Sequence, residues 1–387
     1  MKYDFDKIYD RKGSGCFKYD AMKIMYGRDD LLALWVADMD FAVAPRIMEQ
    51  IQTRLNHPIF GYNFKKDDHF ASFKTYIAKR HDWDLDSSWL QMSPGIVPAI
   101  NFMVKIFTEL GDKITIQQPV YAPFKEAVLA HKRGLLVNNL LEENGQYTID
   151  FADLDRKLAK SKIFIFCSPH NPVGRVWTKT ELLEIGRLCK KHKVLVFSDE
   201  IHNDLVYPGA KHISLASLED FSDFTITMMS PAKTYNIAGL QASVIIAPNP
   251  VLFDKIRKYL FDIHVYGSNA LGTIAFQAAY QYGQEWLEDL LIYLQGNRDY
   301  IYDRISEISA VKMVKAQATY LAWLDFRETK LNDQELADFC INKANLALNA
   351  GVSFGSKGSG FMRLNFACPR SILVQAMDNL AQALKEL

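Results

Sequence analysis

Short runs of β-branched and aromatic residues recur along the chain at Lys113–Gln117, Leu135–Leu140, Lys162–Cys167, Lys193–Ser198, Phe224–Met229 and Ser243–Ala247. Helically spaced apolar positions separate most of them, and this alternation predicts a parallel or mixed sheet covered by helices, an α/β architecture. Thr178–His192 shows how the pattern sets a helix. Thr178 and Glu181 stand at capping-box spacing, ahead of Leu182, Ile185, Leu188 and Cys189, which share one face that buries against the sheet. From about residue 285 the pattern changes to a long helical stretch, strand-like runs at Tyr320–Phe326 and Phe361–Phe366, and a closing helix from Arg370. That change predicts a smaller α+β domain. The first 45 residues carry no strong helical period and are expected to form an arm on that smaller domain or on another subunit. The expected divisions are thus 1–45 (arm and part of the small domain), 46–284 (large domain) and 285–387 (small domain).

Length agrees with two lobes, since 387 residues exceed one ordinary core of about 150. Lys plus Arg and Asp plus Glu each total 45. No excess positive charge is present to hold a polyanion, so neither nucleic acid nor an anionic membrane surface is an expected partner. The opening MKYDFDKIYD lacks an apolar secretory core, and the apolar windows fall short of the roughly 20 residues a spanning helix needs. The five cysteines are odd in number, widely spaced and without a C-x-x-C pair, which reads as reduced, mostly buried cytoplasmic thiols. The cluster Lys65-Lys66-Asp67-Asp68 reads as a solvated loop, and Gly355–Gly360 as a flexible loop, since it fits no phosphate-binding fingerprint. The nine histidines show no metal-ligand spacing, and no catalytic metal is expected.

Ligands of open α/β sheets bind beyond the carboxyl ends of strands. Three strands run into Ser168-Pro169-His170-Asn171-Pro172-Val173-Gly174-Arg175, into Asp199-Glu200-Ile201-His202, and into Ser230-Pro231-Ala232-Lys233-Thr234. Singly, these read as a turn, a helix cap and a surface lysine. Together, an amide, a carboxylate and a lysine at one rim are what an enzyme of pyridoxal 5′-phosphate (PLP) needs. Gly95-Ile96-Val97, between a strand-like run and an apolar helix, is a candidate phosphate site or a plain structural turn. Arg363 lies inside an apolar strand, where a buried cation requires an anion: either a substrate carboxylate or an internal acid.

These segments, with Trp35-Val36-Ala37-Asp38-Met39-Asp40-Phe41, Gly61-Tyr62-Asn63 and Lys233-Thr234-Tyr235-Asn236-Ile237-Ala238-Gly239-Leu240, resemble the fold-type I PLP enzymes of the aminotransferase class I and II superfamily, closest to the cystathionine β-lyase or C–S lyase branch. The resemblance implies an aspartate aminotransferase-like fold with a mostly parallel sheet. It makes Lys233 the Schiff-base lysine and catalytic base, Asp199 the partner of the pyridinium nitrogen, and Asn171 a donor to the cofactor's 3-oxygen that also meets substrate. Gly95, Ile96, Val97 and Ser230 would serve the phosphate. Tyr121 would stack on the ring beside substrate, and Arg363 would hold the α-carboxylate. Tyr62 would reach the neighbouring subunit's phosphate across a homodimer. Three positions depart from the wider pattern: His202 stands for a tyrosine on the 3-oxygen, Gln241 for a phosphate-binding arginine, and Ala232 for a serine.

The activity implied is α,β-elimination on L-cystathionine or a related cysteine S-conjugate, giving a thiol, pyruvate and ammonia. An aminotransferase of the same fold, or a regulatory binding protein built on it, are the alternatives.

Overall fold

The structure, a computed structural model, describes residues 2–64, 68–265 and 267–387. Of the charge cluster at 65–68, only Asp68 lies within the described residues. Seven strands form the main sheet: β1 Leu90–Ser93, β2 Lys113–Gln118, β3 Gly134–Asn139, β4 Ile163–Cys167, β5 Leu195–Asp199, β6 Thr225–Met229 and β7 Ser243–Ile246. Their spatial order is β1-β7-β6-β5-β4-β2-β3, with only β7 antiparallel to its neighbours. The carboxyl ends of β1, β2, β4, β5 and β6 therefore share one edge, and the runs that carry Gly95, Tyr121, Asn171, Asp199 and Lys233 leave from it. Strands β4 and β6 are buried at every position, the continuous apolar pattern expected of a sheet covered on both faces.

The helix after β4 spans Lys179–His192, with the Thr178–Glu181 capping box formed in both directions. Its Leu182, Ile185 and Cys189 pack with Phe164, Phe166 and Val196 of the sheet. A second sheet is built from β8 Lys312–Met313, β9 Leu321–Asp325, β10 Asn349–Ala350 and β11 Phe361–Asn365, in the order β8-β9-β11-β10 and antiparallel throughout. Helices Gln284–Ser306 and Arg370–Lys385 cover it, their Leu290, Ile301, Leu373 and Leu380 sharing one core with Leu321 and Leu364.

The amino-terminal segment packs on this second unit. Leu32 and Ala33 pair in parallel with Leu346 and Ala347, and Phe5 sits edge-on to Trp286. From there the chain passes through Trp35–Asp40 along the gap between the two sheets.

One expectation is corrected. Gly355–Gly360 is a packed double turn, with 3-10 segments at Gly351–Phe354 and Ser356–Gly358. A Cβ at Gly351 would lie 2.2 Å from the Gly358 carbonyl oxygen, so glycine here permits two backbones to touch. The Phe354 carbonyl accepts the Val120 N–H at 2.9 Å, tying this turn to the loop that carries Tyr121.

Candidate active site

Lys233 lies in the short helix Pro231–Thr234 directly after β6. Its Nζ donates to the Ala37 carbonyl at 2.5 Å. Burial lowers its pKa to about 8, helped by the Arg363 charge and opposed by Asp38 and Asp199. An amine so placed is deprotonated far more readily than a surface lysine.

Asp199 ends β5, buried, with Oδ1 accepting the Ile201 N–H at 3.0 Å. Burial pushes its carboxyl up to about 7, against the stabilising Ile201 hydrogen bond; Glu200 adds to the rise and Lys233 counters it. Such a carboxyl takes up a cationic N–H partner with profit, because the cation removes the cost of the buried charge.

Arg363 sits in β11, 5% exposed. Its guanidinium donates to Asn171 Oδ1 at 3.2 Å, the Trp35 carbonyl at 3.0 Å and Asn349 Oδ1 at 2.7 Å, and lies over the Phe354 ring at 4.9 Å. No carboxylate pairs with it among the described residues, and its Nε has no hydrogen-bond partner there. The internal-acid reading of Arg363 is therefore dropped. Burial brings its pKa down to about 10, so it remains a cation at neutral pH. Because Asn171 Oδ1 accepts from Arg363, the amide NH₂ is left as the donor end.

Three further groups surround these. Tyr121 feels the fields of both Asp199 and Arg363 on its phenol, whose pKa burial raises. His202 is buried edge-on to Tyr320, with ring centroids 6.1 Å apart and Nδ1 unpartnered among the described residues. Burial and the charges of Lys233 and Arg363 hold its pKa down to about 3, so the ring is neutral. The helix Ile96–Phe107 begins at Gly95 without any side-chain cap, which leaves its first N–H groups open to an anion. Gly95 itself is extended, with φ 170°, and only the Pro98 ring would meet a Cβ there, at 3.3 Å.

Two candidates stand differently. The Ser230 hydroxyl donates to the Ala242 carbonyl at 2.7 Å and accepts the Ala232 N–H at 3.1 Å. These two bonds seat the Lys233 helix. Tyr62 is fully exposed and meets no site residue within this chain. Gln241 is exposed in a left-handed conformation, φ 52°, where it adds no cation.

Sequence reasoning assigned no role to the Trp35–Asp38 strap, yet the site is hung on it. Asn365 Nδ2 donates to the carbonyls of Val36 and Asp38, both at 2.6 Å, Arg363 to that of Trp35, and Lys233 and Tyr320 to that of Ala37. Asn236 clamps the next stretch through Met39 and Phe41. Asn365 lies two residues beyond Arg363 on the same strand face, a spacing that could have flagged it.

The open helix start, the unpartnered His202 Nδ1 and Arg363 Nε, and the buried Asp199 carboxyl together fit a ligand carrying an anion, a basic ring nitrogen and a carboxylate. Residues 29–384 match the aminotransferase class I and II family model. The chain is 41% identical over 385 residues to the cystathionine beta-lyase PatB of Bacillus subtilis, covering 98% of this chain and 100% of that protein. Cystalysin of Treponema denticola, whose crystal structure contains PLP, superposes with a TM-score of 0.96 at 35% identity, covering all of both chains. The PLP-bound C-S lyase of Staphylococcus hominis gives 0.93 at 33% identity, covering 99% of this chain and 98% of that one. By sequence, fold and site, the chain belongs to the aminotransferase class I and II family.

Proposed function

We propose that this protein is a PLP-dependent C–S lyase of the cystathionine β-lyase type, acting on L-cystathionine or a related cysteine S-conjugate. The observation that carries an amino-acid substrate is Arg363, a buried cation without an acid partner, held through Asn171 and the strap within the field of Lys233. Elimination, as the fate of that substrate, is supported by the lyases that the chain matches over its full length.

PLP, when bound, supplies a carbonyl for an imine and a ring that draws electrons from the substrate α-carbon. Lys233 would tether it through its free amine and, as a free amine again, would take the substrate α-proton. Asp199 would hold the ring-nitrogen proton, Asn171 would donate to the 3-oxygen, and the amides after Gly95 would take the phosphate. Tyr121 would lie against the ring. Arg363 grips the α-carboxylate with a planar fork, which fixes the α-proton toward Lys233. Departure of the β-thiolate and addition of one water yield thiol, pyruvate and ammonia.

Incubation of the holoenzyme with cystathionine and no keto acid tests this. Pyruvate and homocysteine are expected in equal amounts. Absence of both, with amino transfer to an added keto acid, would make the protein an aminotransferase.

We infer a homodimer in which Tyr62 reaches the partner's phosphate site. Ile59, Phe60, Tyr62 and Phe64 are all exposed within six residues, an apolar segment suited to a second copy. Mixing inactive Lys233→Ala with Tyr62→Ala subunits should restore activity that neither has alone; no recovery would sink the shared site. We also keep the division at residues 45 and 284, supported by one sheet on either side of it, and a cytoplasmic location, supported by four singly buried cysteines. No helix among the described residues is long and apolar enough to cross a membrane.

A further inference from the structure

Behind Asp199, on the opposite face of the sheet, lies a second carboxylate that the chemistry above does not use. Glu200 is 0% exposed. Alternation along β5 sends Ser198 and Glu200 to one face and Asp199 to the other. The Glu200 N–H continues the ladder onto the Met228 carbonyl at 2.9 Å, so the backbone at this point is fixed. Its carboxyl accepts from Ser198 Oγ at 2.8 Å and Ser214 Oγ at 3.1 Å, and its other oxygen lies 2.9 Å from His212 Nε2. All three partners are buried.

Two hydroxyls and an imidazole nitrogen gathered on one buried carboxyl suit its ionised form, which only accepts. No lysine or arginine pairs with it among the described residues. His212 packs edge-on against His81, 5.7 Å between centroids, and His81 is taken by Asp204, which also meets Arg80. Neither β6 nor the turn Leu215–Ser217 brings a charge to this face.

We propose that Glu200 is a positioning residue, a buried anion behind the sheet whose negative charge strengthens the hold of Asp199 on the ring-nitrogen proton. A second negative charge one residue away disfavours loss of that proton from the pair, and the nearly dry sheet between them screens it little. The direction of the Glu200 effect on Asp199 agrees. This inference rests on the reading of Asp199 as the ring-nitrogen partner.

The test is the pH titration of the visible absorbance of the holoenzyme, whose midpoint reports the imine of Lys233 with PLP. Glu200→Gln should lower the midpoint by about half a pH unit or more, the order expected for one buried charge removed in a medium of effective ε about 20. His212→Lys, which sets a fixed cation on the carboxylate, should move it the same way and serves if Glu200→Gln fails to retain PLP. An unchanged midpoint in both, with wild-type cofactor content, overturns the proposal. Asp199→Asn separates the two levels: a changed titration there beside unmoved Glu200 and His212 variants rejects the role of Glu200 alone, and an unchanged one rejects both.

Discussion

Lys233 and Tyr320 donate to the same oxygen: the Ala37 carbonyl receives Nζ at 2.5 Å and the phenol hydroxyl at 2.9 Å. The lysine must leave this acceptor when it enters an imine, and the tyrosine is then the donor that remains on the Ala37 carbonyl.

Tyr320→Phe should therefore spare cofactor content and lower kcat. One buried carbonyl left without a donor costs about 1–2 kcal/mol, which corresponds to roughly tenfold. Steady-state kinetics on the reconstituted variant checks it; a wild-type kcat would show that the strap holds without the phenol.

The apoprotein should be stabilised by Lys233→Met at neutral pH. The folded amine, at about 8, binds its proton less tightly than the unfolded one at 10.5. Lys233 thus costs stability below pH 8, and stability returns as pH rises from about 8 to 10.5. Melting curves should place the apo variant a few degrees higher at pH 7, a gap that closes near pH 10.5. Equal melting temperatures at pH 7 would contradict the strain on Lys233.

Arg363→Lys should raise KM for amino-acid substrates by about a hundredfold with a smaller effect on kcat, because an ammonium cannot grip two carboxylate oxygens in one plane. An unchanged KM would remove Arg363 from the carboxylate.

Gly351→Ala should destabilise the fold by about 3 kcal/mol, since its methyl would strike the Gly358 carbonyl and the Phe361 backbone. Urea unfolding measures this directly; a loss below the experimental error would mean that the double turn yields.

The parts of the site that announce themselves in the sequence are those attached to strand ends. Asn171, Asp199 and Lys233 each follow a recognisable β run, and Arg363 is conspicuous as a cation among apolar neighbours. Tyr320 was silent and the strap's role unread, because these bonds run from side chain to backbone carbonyl across 196 residues or more, and any backbone can accept such a bond. The glycine tract misled because glycine serves loose loops and tight contacts alike. Ser230 shows a use that its position does not announce: its hydroxyl donates to the Ala242 carbonyl just before β7.

Trp35 and Arg363 lie 328 residues apart in sequence, yet their bond is part of the same small assembly as Lys233. During synthesis, the strap and the lysine emerge well before the strand that fastens them. The main sheet can pair while the ribosome is still translating, but the pocket closes only when the last few dozen residues are free. A nascent chain stalled before β11 would present a nearly finished scaffold whose strap is fastened at Ala37 but not at Trp35, Val36 or Asp38, and whose site lacks Arg363.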